Sequence, residues 1–324
     1  HVGDGLLKGF ADGLKEWTDN DCLVARISGP EFVIICKGIY SYEELDQIKG
    51  LLSSKLHAVY QSHGVEILLK TKVGYAVYPE DANSMDKLIS HASLAMVNSK
   101  TKINDIVLRF EEGMLEDLNE RITLSNSINQ AIDNDVIEVF FHPIVDVTNN
   151  QFVFVEALAR WYDKEFGYIS PGQFLKIAQE SGQIIELDLF LINKALRYFL
   201  RLSKTPNYLE TILSINVSPA TLMLHNFVAI LNNLVDNKGI EREKVCLEIS
   251  ETTFVKDISF YSERIEAIKK EGYVISLDNF GREFSSLAAL DNIHFDVIKI
   301  DKIFADKIER IRNVEIIKMV LKIA

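Results

Sequence analysis

Along the second half of the chain, short runs of β-branched and aromatic residues recur, and each carries a polar or charged side chain at or near its end. Phe152–Trp161 is the clearest: it reads as an apolar strand that presents the carboxylate of Glu156. Ile212–Asn216, Val245–Glu248, Tyr273–Asp278 and Asp296–Asp301 repeat the pattern with Asn216, Glu248, Asp278 and Lys299. From Asn216 to Glu248, Asp278 and Lys299 the successive steps are 32, 30 and 21 residues, about one strand–helix unit each. A (β/α) barrel of TIM type collects such strand ends on one face. Carboxylates, an amide and a lysine gathered there suit a hard divalent cation and phosphoryl transfer.

Helical periods separate these strands. Met114, Leu115, Leu118, Ile122, Leu124, Ile128 and Ile132 fall mostly three or four apart, which predicts an amphipathic connector helix over 111–132. The strand Val136–Asp146 follows, with 148–150 as its turn, and Pro143 inside it predicts an edge position or a strand end. Ser170 followed by Pro171 predicts a capped helix start, and a second helix covers about Ile185–Leu202. These two helices fill the 60-residue step from Glu156 to Asn216. Upstream, Ala25–Ile35 reads as a hairpin of two apolar segments about a small-residue turn. The two halves share no internal repeat and are read as different folds.

Several ordered motifs of the second half resemble those of EAL domains, which are cyclic di-GMP phosphodiesterases. They are Glu156-Ala-Leu158, Asn216 within Ser214–Ser218, Glu248-Ile-Ser-Glu251, Asp278-Asn-Phe-Gly281 and Lys299-Ile-Asp301. In the first half, Ser28-Gly29-Pro30-Glu31-Phe32 resembles a degenerate GGDEF signature of diguanylate cyclases. Thr71–Pro79 and His91–Lys100 resemble the closing strand and helix of that domain. The resemblance implies a cyclase-like α/β sandwich over 1–110 and an EAL barrel over 111–324. It also implies that the first domain lacks its opening strand, because His1–Leu7 resembles the helix after it. Val314–Ala324 resembles the helix after the sixth barrel strand, so the barrel is expected to be incomplete at its C-terminal end.

By this resemblance Glu156, Asn216, Glu248 and Asp278 are ligands of a first metal, Mg2+ or Mn2+, and Asn279 stands at a second-metal position. Lys299 holds the nucleophilic water or offsets developing charge, and Glu251 anchors a mobile loop. Arg160 resembles the arginine that grips a phosphate. Asp301 and His142 are grouped with the ligand-binding residues, His142 replacing a ligand-contacting glutamine. Asn279 replaces an aspartate, and its neutral amide is a weaker ligand for a hard dication. The loop 281–287 departs from the family at Arg282 and Glu283. Two readings stay open: a weakened metal-dependent phosphodiesterase yielding linear pGpG, and a non-catalytic cyclic di-GMP receptor that signals through protein partners.

Cyclase activity is not expected. Pro30 offers neither a carboxylate nor a backbone N–H where the family has an acidic metal ligand, and Ser28 adds a Cβ where the family has glycine. The product-inhibition motif is absent from 19–22, and Glu31 reads as a solvated turn carboxylate. GTP held at this domain without turnover, and a homodimer through the EAL domain, are compatible with the resemblance. A net charge of −12 argues against a nucleic-acid polymer as partner. Neither a signal peptide nor a membrane span is found in the sequence, so the chain is expected in the cytoplasm, alone or as the cytoplasmic part of a membrane-attached sensor. Cys22, Cys36 and Cys246 form no CxxC pair and read as buried free thiols.

Overall fold

The computed structural model describes residues 2–17, 22–38, 42–55, 59–62, 65–68, 71–100, 107–255, 258–281, 290 and 292–323. The chain divides into two compact units, His1–Glu120 and Arg121–Ala324.

In the first unit, helix α1 (Val2–Trp17) lays Phe10 and Leu14 on a hairpin of β1 (Cys22–Ser28) and β2 (Glu31–Cys36). Val24, Phe32 and Ile34 meet them, with the Phe10 and Phe32 rings 5.3 Å apart. The hairpin expected over 25–35 is therefore present, and Gly29 takes the left-handed φ of +47° that its turn requires. Helix α2 (Tyr42–Lys55) and the pair β3 (Val59–Ser62) and β4 (Val65–Leu68) follow. β5 (Val73–Tyr75) pairs in parallel with β6 (Val107–Arg109), and helix α3 (Met85–Ser99) crosses over between them. That crossing is close: a Cβ on Gly74 would stand 2.0 Å from the backbone nitrogen of Met96, so the strand needs glycine there.

Cys22 and Cys36 correct the expectation of buried free thiols. They are register partners across β1 and β2, both are half-buried, and their sulfurs are bonded to each other. The physical reason is the turn: Cys22 and Cys36 each lie 7 residues from Gly29, so pairing the strands brings them face to face. Cys246 is buried and free, as expected.

Helix α4 (Gly113–Asp133) is the connector expected over 111–132, with one difference. Met114 packs with Ala95 and Phe110, and Leu124, Ile128 and Ala131 pack in a core with Trp161 and Phe174, but Leu118 and Ile122 are exposed. The apolar spacing thus serves separate clusters rather than one continuous stripe.

The second unit is built on a sheet ordered β13-β12-β11-β10-β8-β7, with β9 (Gly167–Ile169) paired to β8. β8 (Gln151–Asp163), β10 (Ile212–Asn216), β11 (Val245–Ser250), β12 (Val274–Phe280) and β13 (Val297–Ile300) run parallel, as a (β/α) barrel requires. β7 (Glu138–Asp146) pairs antiparallel with β8 at the end of the order, the edge position that Pro143 predicts. Helices α5 (Pro171–Ser181), α6 (Ile184–Leu202), α7 (Pro219–Leu222), α8 (Phe227–Asp236) and α9 (Ile258–Lys270) link the strands. Pro171 opens α5 as expected, but the Ser170 hydroxyl makes no capping bond.

Strand alternation separates packing from chemistry. Val155, Leu213, Ile215, Leu247, Ile249, Ile275 and Leu277 join Ile192, Leu196, Phe199, Leu231 and Ile265 of the helices in one buried core. The alternate positions of the same strands hold Glu156, Ser214, Asn216, Glu248, Ser276 and Asp278 on the opposite face.

Candidate active site

Register brings the polar residues together. Ser214 lies opposite Glu156, Asn216 opposite Glu248, and Ser250 opposite Asp278, so the strand ends step across the sheet. Lys299 on β13 reaches into this set. Its Nζ donates to Glu156 Oε2 at 2.8 Å and to Glu248 Oε1 and Oε2 at 2.8 and 2.7 Å, and it lies 3.8 Å from Asp278 Oδ1. Asn216 Nδ2 donates to Glu156 Oε1 at 3.3 Å. Glu156, Asn216, Glu248, Asp278 and Lys299 are thus one cluster drawn from β8, β10, β11, β12 and β13.

Burial sets the electrostatics. It pushes the Glu248 carboxyl above the usual range, with Lys299 opposing and Glu156 adding to the rise. Burial likewise raises Asp278, again against Lys299. Burial disfavours the Lys299 ammonium, but Glu248 and Glu156 outweigh it and hold its pKa above the ordinary lysine value. The cluster therefore concentrates negative charge in a partly dehydrated place and answers it with a single ammonium.

The donor set fits a hard divalent cation: three carboxylates and an amide oxygen, which are the ligands such ions prefer. Among the described residues no three His, Cys, Asp or Glu side chains are arranged to hold an ion in this geometry. The Lys299 ammonium stands between Glu156 and Glu248, and Asn216 turns its amide nitrogen, not its oxygen, toward Glu156. Holding an ion would require the amide of Asn216 to turn over and Lys299 to release its partners.

The remaining residues singled out in the sequence surround this cluster. Asn279 takes a left-handed φ of +58° at the end of β12 and donates from Nδ2 to Asp278 Oδ2 at 2.6 Å. Glu251 is buried just past β11 and accepts from the backbone N–H of Gly281 at 3.0 Å, where the loop after β12 begins. Residues 282–287 of that loop lie outside the described residues. His142 is exposed on β7 as the register partner of Glu156. Arg160 donates to the Ala159 carbonyl at 2.8 Å, its guanidinium 5.9 Å from the Phe140 ring centroid. Asp301 is buried and spends Oδ1 on the N–H of Ile303 at 2.8 Å, capping the short helix Lys302–Ala305.

Sequence reasoning missed two buried supports. Ser214 Oγ donates to Glu248 Oε1 at 2.5 Å. Asp188, on α6, accepts from the Ser218 N–H at 3.0 Å and from Thr221 Oγ1 at 2.6 Å, tying down the turn just beyond Asn216. The strand period could have found Ser214, since it shares the polar face with Asn216; nothing local marks Asp188.

The EAL domain family matches residues 125–324, well over half of the chain. The chain belongs to the EAL domain family. Ahead of this EAL domain, residues 1–105 match the diguanylate cyclase, GGDEF domain. The GGDEF-EAL chain is 27% identical over 310 residues to the bifunctional diguanylate cyclase/cyclic di-GMP phosphodiesterase MucR of Pseudomonas aeruginosa, covering 95% of this chain and 45% of MucR. An uncharacterized protein of Sinorhizobium fredii is 28% identical over 303 residues, 94% of this chain and 36% of that protein. The GGDEF-EAL chain thus spans less than half the length of these relatives. Among solved structures, the PaMucR phosphodiesterase in complex with c-di-GMP matches with a TM-score of 0.58 at 26% identity, over 62% of this chain and 81% of that one.

Proposed function

We propose that the EAL domain binds cyclic di-GMP and hydrolyses it to linear pGpG with Mg2+ or Mn2+, and that the GGDEF domain ahead of it makes none. One observation carries the reading: carboxylates from three strands and an amide from a fourth gather around the Lys299 ammonium. Glu156, Asn216, Glu248 and Asp278 would hold a divalent ion, which supplies an activated water and charge neutralisation at a phosphodiester. Lys299, released from its carboxylates, keeps an ammonium beside the reacting phosphate and the water. Arg160, turned from the Ala159 carbonyl, grips a phosphate, and His142 donates a hydrogen bond to the ligand. Glu251 fixes the backbone at Gly281, just after β12, and Asp301 fixes the turn beyond Lys299. The likeness to MucR and to the c-di-GMP complex supports this ligand.

The first domain offers a groove of about 330 Å³ lined by Asp4, Lys8, Lys15, Arg26 and Phe32, whose cations suit GTP held without turnover. Pro30 and the exposed Glu31 supply no metal ligand pair there.

A receptor that binds cyclic di-GMP without cleaving it is the second reading, favoured by Asn279, which offers Asp278 an amide donor where a second carboxylate would help hold an ion. Incubating the chain with cyclic di-GMP in Mg2+ and in Mn2+, and separating products by chromatography, decides between them. Hydrolysis yields pGpG that Glu156→Ala abolishes; binding by calorimetry with no pGpG in either metal establishes the receptor. Incubation with GTP and either metal should give no cyclic di-GMP above a no-protein control.

A further inference from the structure

We infer that Ser214 is a positioning residue for Glu248, fixing the carboxylate on which the proposed metal site depends. The inference rests on the metal-dependent reading above. Ser214 lies on β10 one pleat before Asn216, with Glu156 as its register partner on one side and Cys246 on the other. Its hydroxyl and the Glu248 carboxylate are both buried, 1% and 2% exposed, and are joined at 2.5 Å. Neither can turn to water for an alternative partner.

The direction of this bond is set by the carboxylate, which accepts. A hydroxyl has one proton to give, and Glu248 takes it. Lys299 also bonds both oxygens of Glu248, but an ion entering between Glu156 and Glu248 displaces that ammonium. The Ser214 bond is the one that survives, and it leaves Oε2 free and already aimed. Partners of this outer kind change metal affinity by about 10- to 100-fold when removed.

The test reads metal uptake directly, without nucleotide and without turnover. The chain is titrated with Mn2+, and free ion is followed by electron paramagnetic resonance. Ser214→Ala is expected to bind Mn2+ about 10-fold more weakly than wild type, and Ser214→Thr, which keeps the hydroxyl, to bind within about twofold of it. A merely structural hydroxyl would lower the unfolding midpoint of Ser214→Ala and leave Mn2+ affinity within about twofold, and that result overturns the inference. Should Ser214→Ala fail to fold, Ser214→Cys, similar in shape and a weak donor, carries the same expectation and the same refutation. Wild type that takes up no Mn2+ overturns the metal reading itself, a result distinct from wild type and Ser214→Ala binding alike.

Discussion

Both oxygens of the Glu248 carboxylate lie within hydrogen-bond distance of the Lys299 ammonium, at 2.8 and 2.7 Å, with the glutamate side chain 1% exposed and the lysine 24%. The pair is asymmetric: Glu248 has left water almost entirely, while Lys299 keeps part of its hydration.

Removing the lysine should therefore expose the cost of that burial. Lys299→Met leaves Glu248 charged and enclosed without its cation, and the expected loss is about 3 kcal/mol, the low end for a broken buried pair because Lys299 keeps some water. Urea unfolding at neutral pH reads it. Mn2+ should return part of the loss by taking the place of the ammonium, and an unchanged midpoint would mean that the pair adds nothing.

Asn279 now gives Asp278 a hydrogen-bond donor at 2.6 Å. Asn279→Asp exchanges that donor for a second carboxylate at a left-handed position that aspartate tolerates. Without metal the two like charges should lower the thermal midpoint. With Mn2+ the order should reverse, and the metal concentration for half-maximal binding should fall. A variant whose stability ignores Mn2+ would argue against an ion at this end of β12.

Asp188 offers a pH test on helix α6. Burial raises its pKa above the ordinary aspartate value, against the hydrogen bonds from Ser218 and Thr221. A folded pKa above the unfolded one means that the folded chain holds the extra proton. The contribution of Asp188 to stability is therefore full below the unfolded pKa and declines as pH rises through the folded one. Asp188→Asn keeps an acceptor oxygen for both donors and has no charge to bury. Its stability relative to wild type should thus increase as pH rises from the ordinary aspartate pKa of about 4 in denaturant titrations; a flat difference would sink the assignment.

Arg160 is held by its own strand, at the Ala159 carbonyl, beside Phe140. If it turns to a phosphate of cyclic di-GMP, Arg160→Ala should weaken binding by about 1.5 to 3 kcal/mol in calorimetry, the range for a hydrogen bond to a charged group. Equal affinity in a folded variant would leave Arg160 as a packing residue.

The legible part of the site was the part written in the strand period. Glu156, Asn216, Glu248 and Asp278 each interrupt an apolar run at a position whose face is fixed by alternation, and Lys299 does the same one strand later. What escaped were groups whose meaning depends on a partner far along the chain. Ser214 looks like a small residue tolerated in a strand until Glu248, 34 positions on, is seen to take its proton. Asp188 looks like the solvated face of α6 until Ser218 and Thr221 close over it. The connector helix was legible in extent, but not in the separate destinations of Met114 and Leu124, because periodicity records that a residue is covered and not by what.

The distribution of cysteines has a practical side. Cys246 is buried, and burial pushes its thiol up to about 12, so it is closed to alkylating reagents in the folded chain. Cys22 and Cys36 are half-buried on the hairpin and become thiols on reduction. Mild reduction followed by a maleimide dye would therefore tag the first unit alone. The chain thus carries its own dye-attachment sites on that unit, with no cysteine to add and none to remove.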